Sequence, residues 1–211
     1  AETSAASLKL TMDMQASLGA YDDTAGGGRE GLLNMPQKLF WHPKFMWYGP
    51  SGIGTTRGLE GFVDFHQLPF RKVFPRNPSA PQAPGLGKHG GSHYVRIGDG
   101  RFSATGGWPS RHMMHTGGGW LGLGASGRAI TMRVMDFYSA DQGLIRENWV
   151  PIDILQVLLQ LDVDVLARVE HGRAAGVPGR WRPRHSGVFS FGHLAPRGSS
   201  AERRTADSAC L

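Results

Sequence analysis

Short strand-like segments separated by tight turns fill the second half of the chain, and they constrain its fold more than any other feature. Gly98-Asp99-Gly100 and Asp141-Gln142-Gly143 are turn sequences of the kind that join neighbouring antiparallel strands. Two such turns predict hairpins within one sheet. The predicted strands are SHYVRI (92–97), RFSATGGW (101–108), HMMH (112–115), RAITMRVMDFYS (128–139) and LIRENWV (144–150).

Helical patterns flank these strands. Residues 57–74 repeat apolar side chains at helical spacing, and Pro69 is expected to kink or divide that helix. Residues 154–169 predict a closing helix, with Asp153 suited to cap its first turn. Early helices, successive strands and a closing helix together predict the α+β class.

The chain is expected to contain one domain, over residues 39–170. Residues 1–38 precede it as a segment that fits a partly helical or an irregular structure equally well. Residues 171–211 follow it as a basic tail rich in Gly, Pro and Arg, without periodicity, which predicts disorder.

Charge and composition exclude several classes of function. The formal net charge is +6, but seven Arg against two acidic residues place +5 of it in residues 171–211. The remainder of the chain carries only about +1, so nucleic acid is not an expected partner. No long apolar run predicts a membrane span, no secretory signal is visible, and we expect a cytoplasmic protein.

The last predicted hairpin carries the clearest candidate site. Symmetric closure would place Asp136 opposite Glu147, with Tyr138 and Trp149 on the same face of the sheet. Two facing carboxylates repel unless one is protonated or a cation or histidine lies between them, and such a pair suits acid/base catalysis. The alternative is an exposed pair bridged by nearby arginines, and a one-residue slip in register would separate the two carboxylates.

His66 lies on the apolar face of the first predicted helix. It is either a core histidine bonded to a backbone carbonyl or a partner of the carboxylates that titrates near neutral pH. The aromatic side chains at positions 41, 45, 47 and 48 fit a ligand pocket and a plain core equally well. Four histidines (89, 93, 112 and 115) do not have the spacing of a closed metal site, so no metal is expected.

Three stretches of the sequence resemble the SnoaL-like polyketide cyclases and ester cyclases, of the nuclear-transport-factor-2-like superfamily. They are GPSGIGTTRGLEGFVDFHQLPF, SHYVRIGDGRFSATGGW and GWLGLGASGRAITMRVMDFYSADQGLIRENWVPIDILQVLLQL. The last is the most specific, with a bend from Gly122 to Arg128 and a strand ending E-N-W-x-x-x-D. The resemblance covers about residues 45–168. It implies a cone-shaped α+β barrel, in which a curved antiparallel sheet wraps around N-terminal helices and a pocket lies between them.

The resemblance also implies a chemistry. Characterised members close polyketide rings by an intramolecular aldol reaction without a metal or organic cofactor. They use an acidic residue at the position matching Val150 and a histidine at the position matching Asp136. This chain differs at both positions, and Asp136 could act as the base from the place of the histidine.

The sequence therefore predicts a cofactor-independent enzyme for acid/base chemistry on an apolar, carbonyl-bearing small molecule. Asp136 is the expected base, with Glu147 or His66 as its acid partner. The expected substrate-binding residues are Trp47, Tyr48, Tyr138 and Trp149, together with Arg57 and Arg128 to stabilise an enolate. The alternative is a non-catalytic ligand-binding or assembly domain on the same scaffold, and we expect a homodimer through the outer sheet face.

Overall fold

The computed structural model describes residues 2–19, 28–80 and 93–174, which form helices and one sheet. The helices are α1 (Glu2–Gly19), α2 (Gly28–Leu33), a 3₁₀ turn (Pro36–Phe40), α3 (Gly58–Phe62), a π-helical turn (Val63–Gln67), α4 (Leu68–Val73), α5 (Ile154–Gln160) and α6 (Val165–Ala174). The strands are β1 (Trp41–Tyr48), β2 (Thr55–Arg57), β3 (Val95–Asp99), β4 (Phe102–His115), β5 (Arg128–Asp141) and β6 (Leu144–Trp149). The tail after residue 174 lies outside the described residues.

The six strands form one curved, open sheet in the order β2-β1-β6-β5-β4-β3. Neighbouring strands are antiparallel except β1 and β6, which run parallel. Helices α1, α3 and α5 contact the sheet and cover its inner face. The predicted α+β class is confirmed, and the four consecutive strands β3 to β6 are neighbours in the sheet.

The predicted strands are present, but β3 begins later than expected, at Val95, and β4 differs in one respect. The segments 101–108 and 112–115 were expected as separate strands, but Phe102–His115 is continuous. Its pairing with β5 shifts between Gly107 and Arg111, which marks a bulge around Pro109. Because proline has no N–H to donate to a ladder, a bulge is where a strand can accommodate it.

The predicted register of the last hairpin is wrong. Phe137 pairs with Trp149, Tyr138 with Asn148 and Ser139 with Glu147. This register is shifted by three residues from the predicted one, in which Asp136 faced Glu147. Two residues of this shift come from the tight turn at Gln142-Gly143, where both φ angles are positive (52° and 75°). The third comes from a bulge between Ser139 and Ala140. An odd shift exchanges the two faces of a strand, so Asp136 and Glu147 lie on opposite sides of the sheet.

The helix expected over 57–74 is present, with a wider turn in its middle. An α-helical segment ends at Phe62, a π-helical turn covers Val63–Gln67, and α4 continues to Val73. Pro69 lies at the start of α4, where the missing N–H is tolerated, so the chain remains helical through it. π-Helical turns are rare and often occur at functional sites, and this one carries His66.

The N-terminal segment begins with a helix that docks through polar side chains. Ser7 Oγ donates to the carbonyls of Gly100 (2.9 Å) and Phe102 (3.0 Å), and Thr11 Oγ1 lies 2.7 Å from Ser103 Oγ. The backbones meet closely at Gly98, where a Cβ atom would lie 2.4 Å from the carbonyl oxygen of Ser4. Glycine at position 98 therefore sets how near α1 comes to the sheet.

The closing helix is capped as predicted but is divided in two. Asp153 Oδ1 accepts from the backbone N–H of Gln156 at 3.0 Å, which is an N-cap contact. The expected helix over 154–169 breaks after Gln160, because Asp162 adopts a left-handed conformation (φ 62°). Asp164 then caps α6 by accepting from the N–H of Ala167 at 2.9 Å.

Candidate active site

Asp136 occupies the inner face of β5 and is the centre of a buried polar cluster. Alternation along β5 turns Asp136 and Tyr138 inward, and Asn148 of β6 projects from the neighbouring strand to the same side. Asn148 Nδ2 donates to Asp136 Oδ1 at 3.3 Å. Only 9% of Asp136 is exposed, which is unusual for an aspartate.

Residues from three further elements extend this cluster. His93, just before β3, has its Nδ1 atom 3.6 Å from Asp136 Oδ2 and 3.1 Å from Thr105 Oγ1. Gln15 of α1 donates to Thr105 Oγ1 at 2.6 Å and to the Tyr138 hydroxyl at 3.3 Å. The N-terminal helix thus contributes directly to the surroundings of Asp136.

Burial changes the acidity of the two inward residues of β5. It raises the pKa of Asp136 from 3.8 to about 6, although Arg111 and the hydrogen bonds from Asn148 and Tyr138 act in the opposite direction. Burial, followed by the charge of Asp136, also raises the pKa of Tyr138 well above 10. At neutral pH the site therefore contains an ionised but basic carboxylate beside a neutral phenol.

His66 also faces the interior, and of its two alternatives this placement fits the core histidine. Its ring stacks on Trp47 with 3.8 Å between centroids, and Nδ1 is buried without a hydrogen-bond partner among the described residues. Burial, then the charges of Arg71 and Arg111, lower its pKa to about 3. His66 is thus neutral at pH 7, and the expected bond to a backbone carbonyl is not among its contacts in the described residues.

Arg111 is the charged partner that sequence reasoning missed. It lies on the inner face of β4, opposite Met132, in alternation with the buried residues Met113 and His115. Burial lowers its pKa, the charge of Asp136 acts the other way, and Arg71 lowers it again. The alternation of Arg111 with Met113 was the available signal, but the bulge before it obscured the inward direction.

His93 was considered only as a metal ligand, and it also belongs to the cluster. Burial, then Arg111 and Arg96, lower its pKa to about 3, so the ring is neutral. Among residues 2–19, 28–80 and 93–174, no group of three His, Cys, Asp or Glu side chains is placed to share a metal ion. His89 lies outside the described residues. The expectation of no metal and no cofactor stays a prediction.

Three of the predicted site residues meet on the opposite, outer face of the sheet. Glu147 accepts from the Ser139 hydroxyl at 3.3 Å and from the Tyr48 hydroxyl at 3.4 Å. Tyr48 in turn stacks on Trp149, with ring centroids 5.7 Å apart. Burial, then Glu147, raise the pKa of Tyr48. The register shift that moved Glu147 outward explains the whole group.

The two predicted enolate-binding arginines also lie outside the interior. Arg57 is exposed on the short edge strand β2. Arg128 is exposed at the start of β5, where it contacts the Asp162 carboxylate and donates to the carbonyl of Gln160 at 3.0 Å. These contacts join β5 to the end of α5.

The aromatic side chains of β1 divide between the two faces. Phe45 and Trp47 are buried in the core. Trp41 stacks on Phe45 with ring centroids 4.1 Å apart, so most of this aromatic group belongs to the hydrophobic core. Two surface cavities are formed by described residues, and neither includes Asp136 in its lining. One of about 280 Å³ is lined by Lys38, Trp41, His42, Pro43, Phe45 and Leu59. The other, of about 160 Å³ on the outer face, is lined by Tyr94, Val95, Gly107, Trp108 and Met135.

Comparison with solved structures identifies the fold. The chain is similar to a candidate SnoaL-like polyketide cyclase from Jannaschia sp. CCS1, with a TM-score of 0.53 and 14% identity over 78% of this chain and 96% of the other. AclR, a candidate hydroxylase from Streptomyces galilaeus, matches with a TM-score of 0.51 and 16% identity over 82% and 97%. TsrD from Streptomyces laurentii matches with a TM-score of 0.50 and 18% identity over 74% and 96%.

These similarities confirm the SnoaL-like fold that the sequence resemblance implied. No protein-family profile and no curated protein sequence matches the chain. At 14–18% identity the likeness concerns the fold, and a function has to be argued from the site. None of the helices in the described residues combines the length and apolar content that crossing a membrane requires.

Proposed function

We propose that this domain is a cofactor-independent enzyme that performs acid/base chemistry on an apolar, carbonyl-bearing small molecule, with Asp136 as the base. The observation that supports the proposal is a carboxylate held between the sheet and the helices, with a pKa raised to about 6 by burial. A base is most effective when its pKa lies near the working pH, because it is then both ionised and able to retain a proton. An exposed aspartate is a much weaker base.

The proposed reaction begins with proton transfer. The Asp136 carboxylate removes a proton from the carbon next to the substrate carbonyl, and the electron pair of that C–H bond becomes an enolate. The enolate then attacks a second carbonyl within the same molecule, which closes a ring, or accepts a proton at another position, which isomerises the substrate. Asp136 returns its proton to the product oxygen or carbon, so no external oxidant or reductant is needed.

The neighbouring residues support each part of this scheme. Asn148 holds one oxygen of Asp136, and the neutral Tyr138 lies beside it, so the carboxylate has a fixed orientation. The positive charge of Arg111 favours the ionised base and a developing enolate. Trp47 and the neutral ring of His66 stack on one another and make the interior beside the sheet apolar. The proteins of similar fold that carry the name polyketide cyclase support ring closure as the form of the reaction.

Solvent hydrogen exchange tests the proposal without knowledge of the natural substrate. 2-Tetralone, an apolar cyclic ketone, would be incubated with the protein in D₂O, and deuterium uptake next to the carbonyl would be followed by mass spectrometry. We expect the wild-type protein to accelerate uptake and Asp136→Asn to reduce the acceleration about 10²-fold or more, since general base catalysis contributes about that much.

Two variants serve as controls for this experiment. Asp99→Asn changes an exposed carboxylate at the end of β3 and should leave exchange unchanged. Glu147→Gln tests whether Glu147 takes part in catalysis beside Asp136, as the sequence predicted. We expect activity to persist, because Glu147 lies on the outer face of the sheet. Full activity in Asp136→Asn would refute the role of Asp136.

The outer face of the sheet favours a second proposal, that the domain forms a homodimer. Large apolar side chains are exposed there: Tyr94 (57%), Ile97 (54%), Phe102 (45%), Trp108 (68%) and Phe137 (44%). Between them lie the small residues Ala104 and Gly106. Exposed apolar patches of this kind mark protein interfaces.

Mass measurement in solution tests the dimer. We expect twice the chain mass of 22.9 kDa by light scattering, and Phe137→Glu should yield the monomer because it introduces a charge at the centre of the face. A monomeric wild-type protein across micromolar concentrations contradicts this proposal. If the protein is dimeric but fails the exchange experiment, the assembly alternative is favoured over the enzyme.

A further inference from the structure

A bulge in β1 forms one wall of the larger surface cavity. From Trp41 to Met46 the chain of β1 advances five residues, while the paired chain of β6 advances two, from Ile145 to Glu147. β1 therefore holds three extra residues at this point. One of the bulged residues is Pro43, which has no N–H to donate to a ladder. Strand bulges often lie next to functional sites, where they redirect side chains.

The cavity that this bulge borders has a volume of about 280 Å³ and lies between the 3₁₀ turn, β1 and α3. Most of its lining is apolar, and two residues carry nitrogen donors: Trp41, Pro43, Phe45 and Leu59, with Lys38 and His42. Ligand pockets are generally apolar with a few polar groups that fix the orientation of the ligand, and they usually exceed about 300 Å³. The lining thus has the composition of a ligand site, and its volume suits a small ligand.

Trp41 gives the cavity an aromatic surface. Phe45 stacks on its ring, with centroids 4.1 Å apart, and Phe62 meets it at 85°, with centroids 4.7 Å apart. Because Phe45 and Phe62 are themselves 5.9 Å apart, they lie almost at right angles when seen from the indole. Phe45 therefore covers one face of the indole, Phe62 lies at its edge, and neither ring covers the other face. Trp41 is only half-buried, and an indole face of this kind can stack with a planar aromatic molecule.

The two polar residues of the lining are hydrogen-bond donors. The backbone N–H of Lys44 donates to His42 Nδ1 at 3.0 Å, so the other ring nitrogen, Nε2, carries a proton whether the ring is neutral or charged. Lys38 Nζ has three N–H groups, of which one donates to Asn34 Oδ1 at 3.1 Å. None of the ion pairs between described residues includes Lys38. The described residues that line the cavity include no carboxylate, so a ligand has to supply the acceptor.

We propose that this cavity binds a small aromatic carboxylate. The aromatic ring lies against the uncovered face of Trp41, and the two carboxylate oxygens accept hydrogen bonds from Lys38 and His42. A neutral ligand leaves the charge of Lys38 without a counter-ion, and a cation is repelled by it. Asp136 is not among the residues that line the cavity, so this site is additional to the proposed function and does not depend on it.

Probes of one shape and three charges test this proposal. 2-Naphthoate, 2-naphthamide and 2-naphthylmethylammonium present the same ring system with an anionic, a neutral and a cationic group. The Kd of each would be measured by NMR titration of the full chain at constant ionic strength. We expect the carboxylate to bind about 3- to 10-fold more tightly than the amide, a modest factor because solvent screens the exposed Lys38, and the ammonium to bind most weakly.

Intermolecular NOEs locate the bound probe. We expect NOEs between the naphthalene protons of 2-naphthoate and the side chains of Trp41 and Leu59. Trp41→Leu should weaken binding of the carboxylate and the amide alike, by about 3- to 10-fold, because an aromatic contact is lost. Trp41→Phe keeps an aromatic ring at this position and should recover part of that affinity.

Matched variants separate the donors of this cavity from a general effect of charge. Lys38→Gln should remove most of the preference for the carboxylate and leave the Kd of the amide unchanged. Lys72→Gln removes the same charge from an exposed position on α4 outside the lining and should leave every Kd unchanged. Circular dichroism of each variant confirms that it is folded.

Each outcome either supports the proposal or overturns it. An amide that binds as tightly as the carboxylate overturns the assignment of an anionic ligand, and so does a preference that survives in Lys38→Gln. Absence of NOEs to Trp41 at the highest soluble concentration of 2-naphthoate overturns the site itself. Asp136→Asn should leave the Kd of 2-naphthoate unchanged, so a failure of the exchange experiment and a failure of this one are distinguishable.

Discussion

Replacement of Asp136 by asparagine should make the protein more stable at neutral pH. In the wild type, burial raises the pKa of this carboxyl from 3.8 to about 6. At about 1.4 kcal/mol for each pH unit, ionising Asp136 in the folded protein costs about 3 kcal/mol relative to the unfolded chain. Asparagine has nearly the same shape and carries no charge, so it removes this cost.

The direction of the pH dependence follows from the raised pKa. The folded protein holds the proton of Asp136 more tightly than the unfolded chain, so this group contributes stability fully below about pH 4. That contribution is lost as the pH rises through about 6. Burial lowers the pKa values of His66 and His93, so their contribution has the opposite sign and is lost as the pH falls below about 6.5. Both histidines are present in wild type and variant, so they cancel in the difference.

Urea unfolding of wild type and Asp136→Asn between pH 4 and pH 8 measures this difference. The quantity to compare is the change, from pH 4 to pH 8, in the difference between the unfolding free energies of the two proteins. Any cost of burying the amide that does not depend on pH cancels in this comparison. We expect the variant to gain about 2.4 kcal/mol relative to the wild type between the two ends, with most of the gain between pH 4 and 6. Asp99→Asn, at an exposed position, should show no such trend. A difference that does not change with pH would refute the raised pKa and, with it, the basis for a neutral-pH base.

Two further predictions concern the elements that surround the site. Gly98→Val should reduce the free energy of unfolding, measured in urea, by about 1–3 kcal/mol, because the new side chain would collide with the Ser4 carbonyl. Gly124→Ala, at a position with open space around it, should leave the free energy of unfolding unchanged. Asp153→Ala should reduce the free energy of unfolding by about 1 kcal/mol in the same measurement, because the cap on α5 is lost. Asp153→Asn should recover most of that stability, since asparagine can also cap a helix. Equal losses in both variants would contradict a capping role.

The strands, the turns and the cap at Asp153 were predictable because their signals are local. A turn sequence such as Gln142-Gly143 or an N-cap aspartate acts over three or four residues, which a sequence displays directly. The division of the closing helix was not predicted, since Asp162 has no residue-type signal that requires a left-handed conformation.

The candidate site was predictable only in part, because it depends on register. Asp136 and Tyr138 were identified correctly as sharing a face, since they lie on the same strand. Glu147 was assigned to that face from an assumed pairing between strands, and a tight turn plus one bulged residue reversed it. Arg111 and His93 meet Asp136 through the β4 bulge and the residues before β3, and no sequence spacing encodes those meetings.

The polar docking of α1 links solvent access at the site to the strength of its base. Gln15 bonds both Thr105 and Tyr138, so any separation of α1 from the sheet breaks these contacts and admits water to Asp136. Hydration would return the pKa of Asp136 from about 6 towards 3.8, which lowers its proton affinity about a hundredfold. We therefore expect Asp136 to be a strong base only while α1 is in place, so that deprotonation follows enclosure of the substrate and the enolate forms out of contact with bulk water.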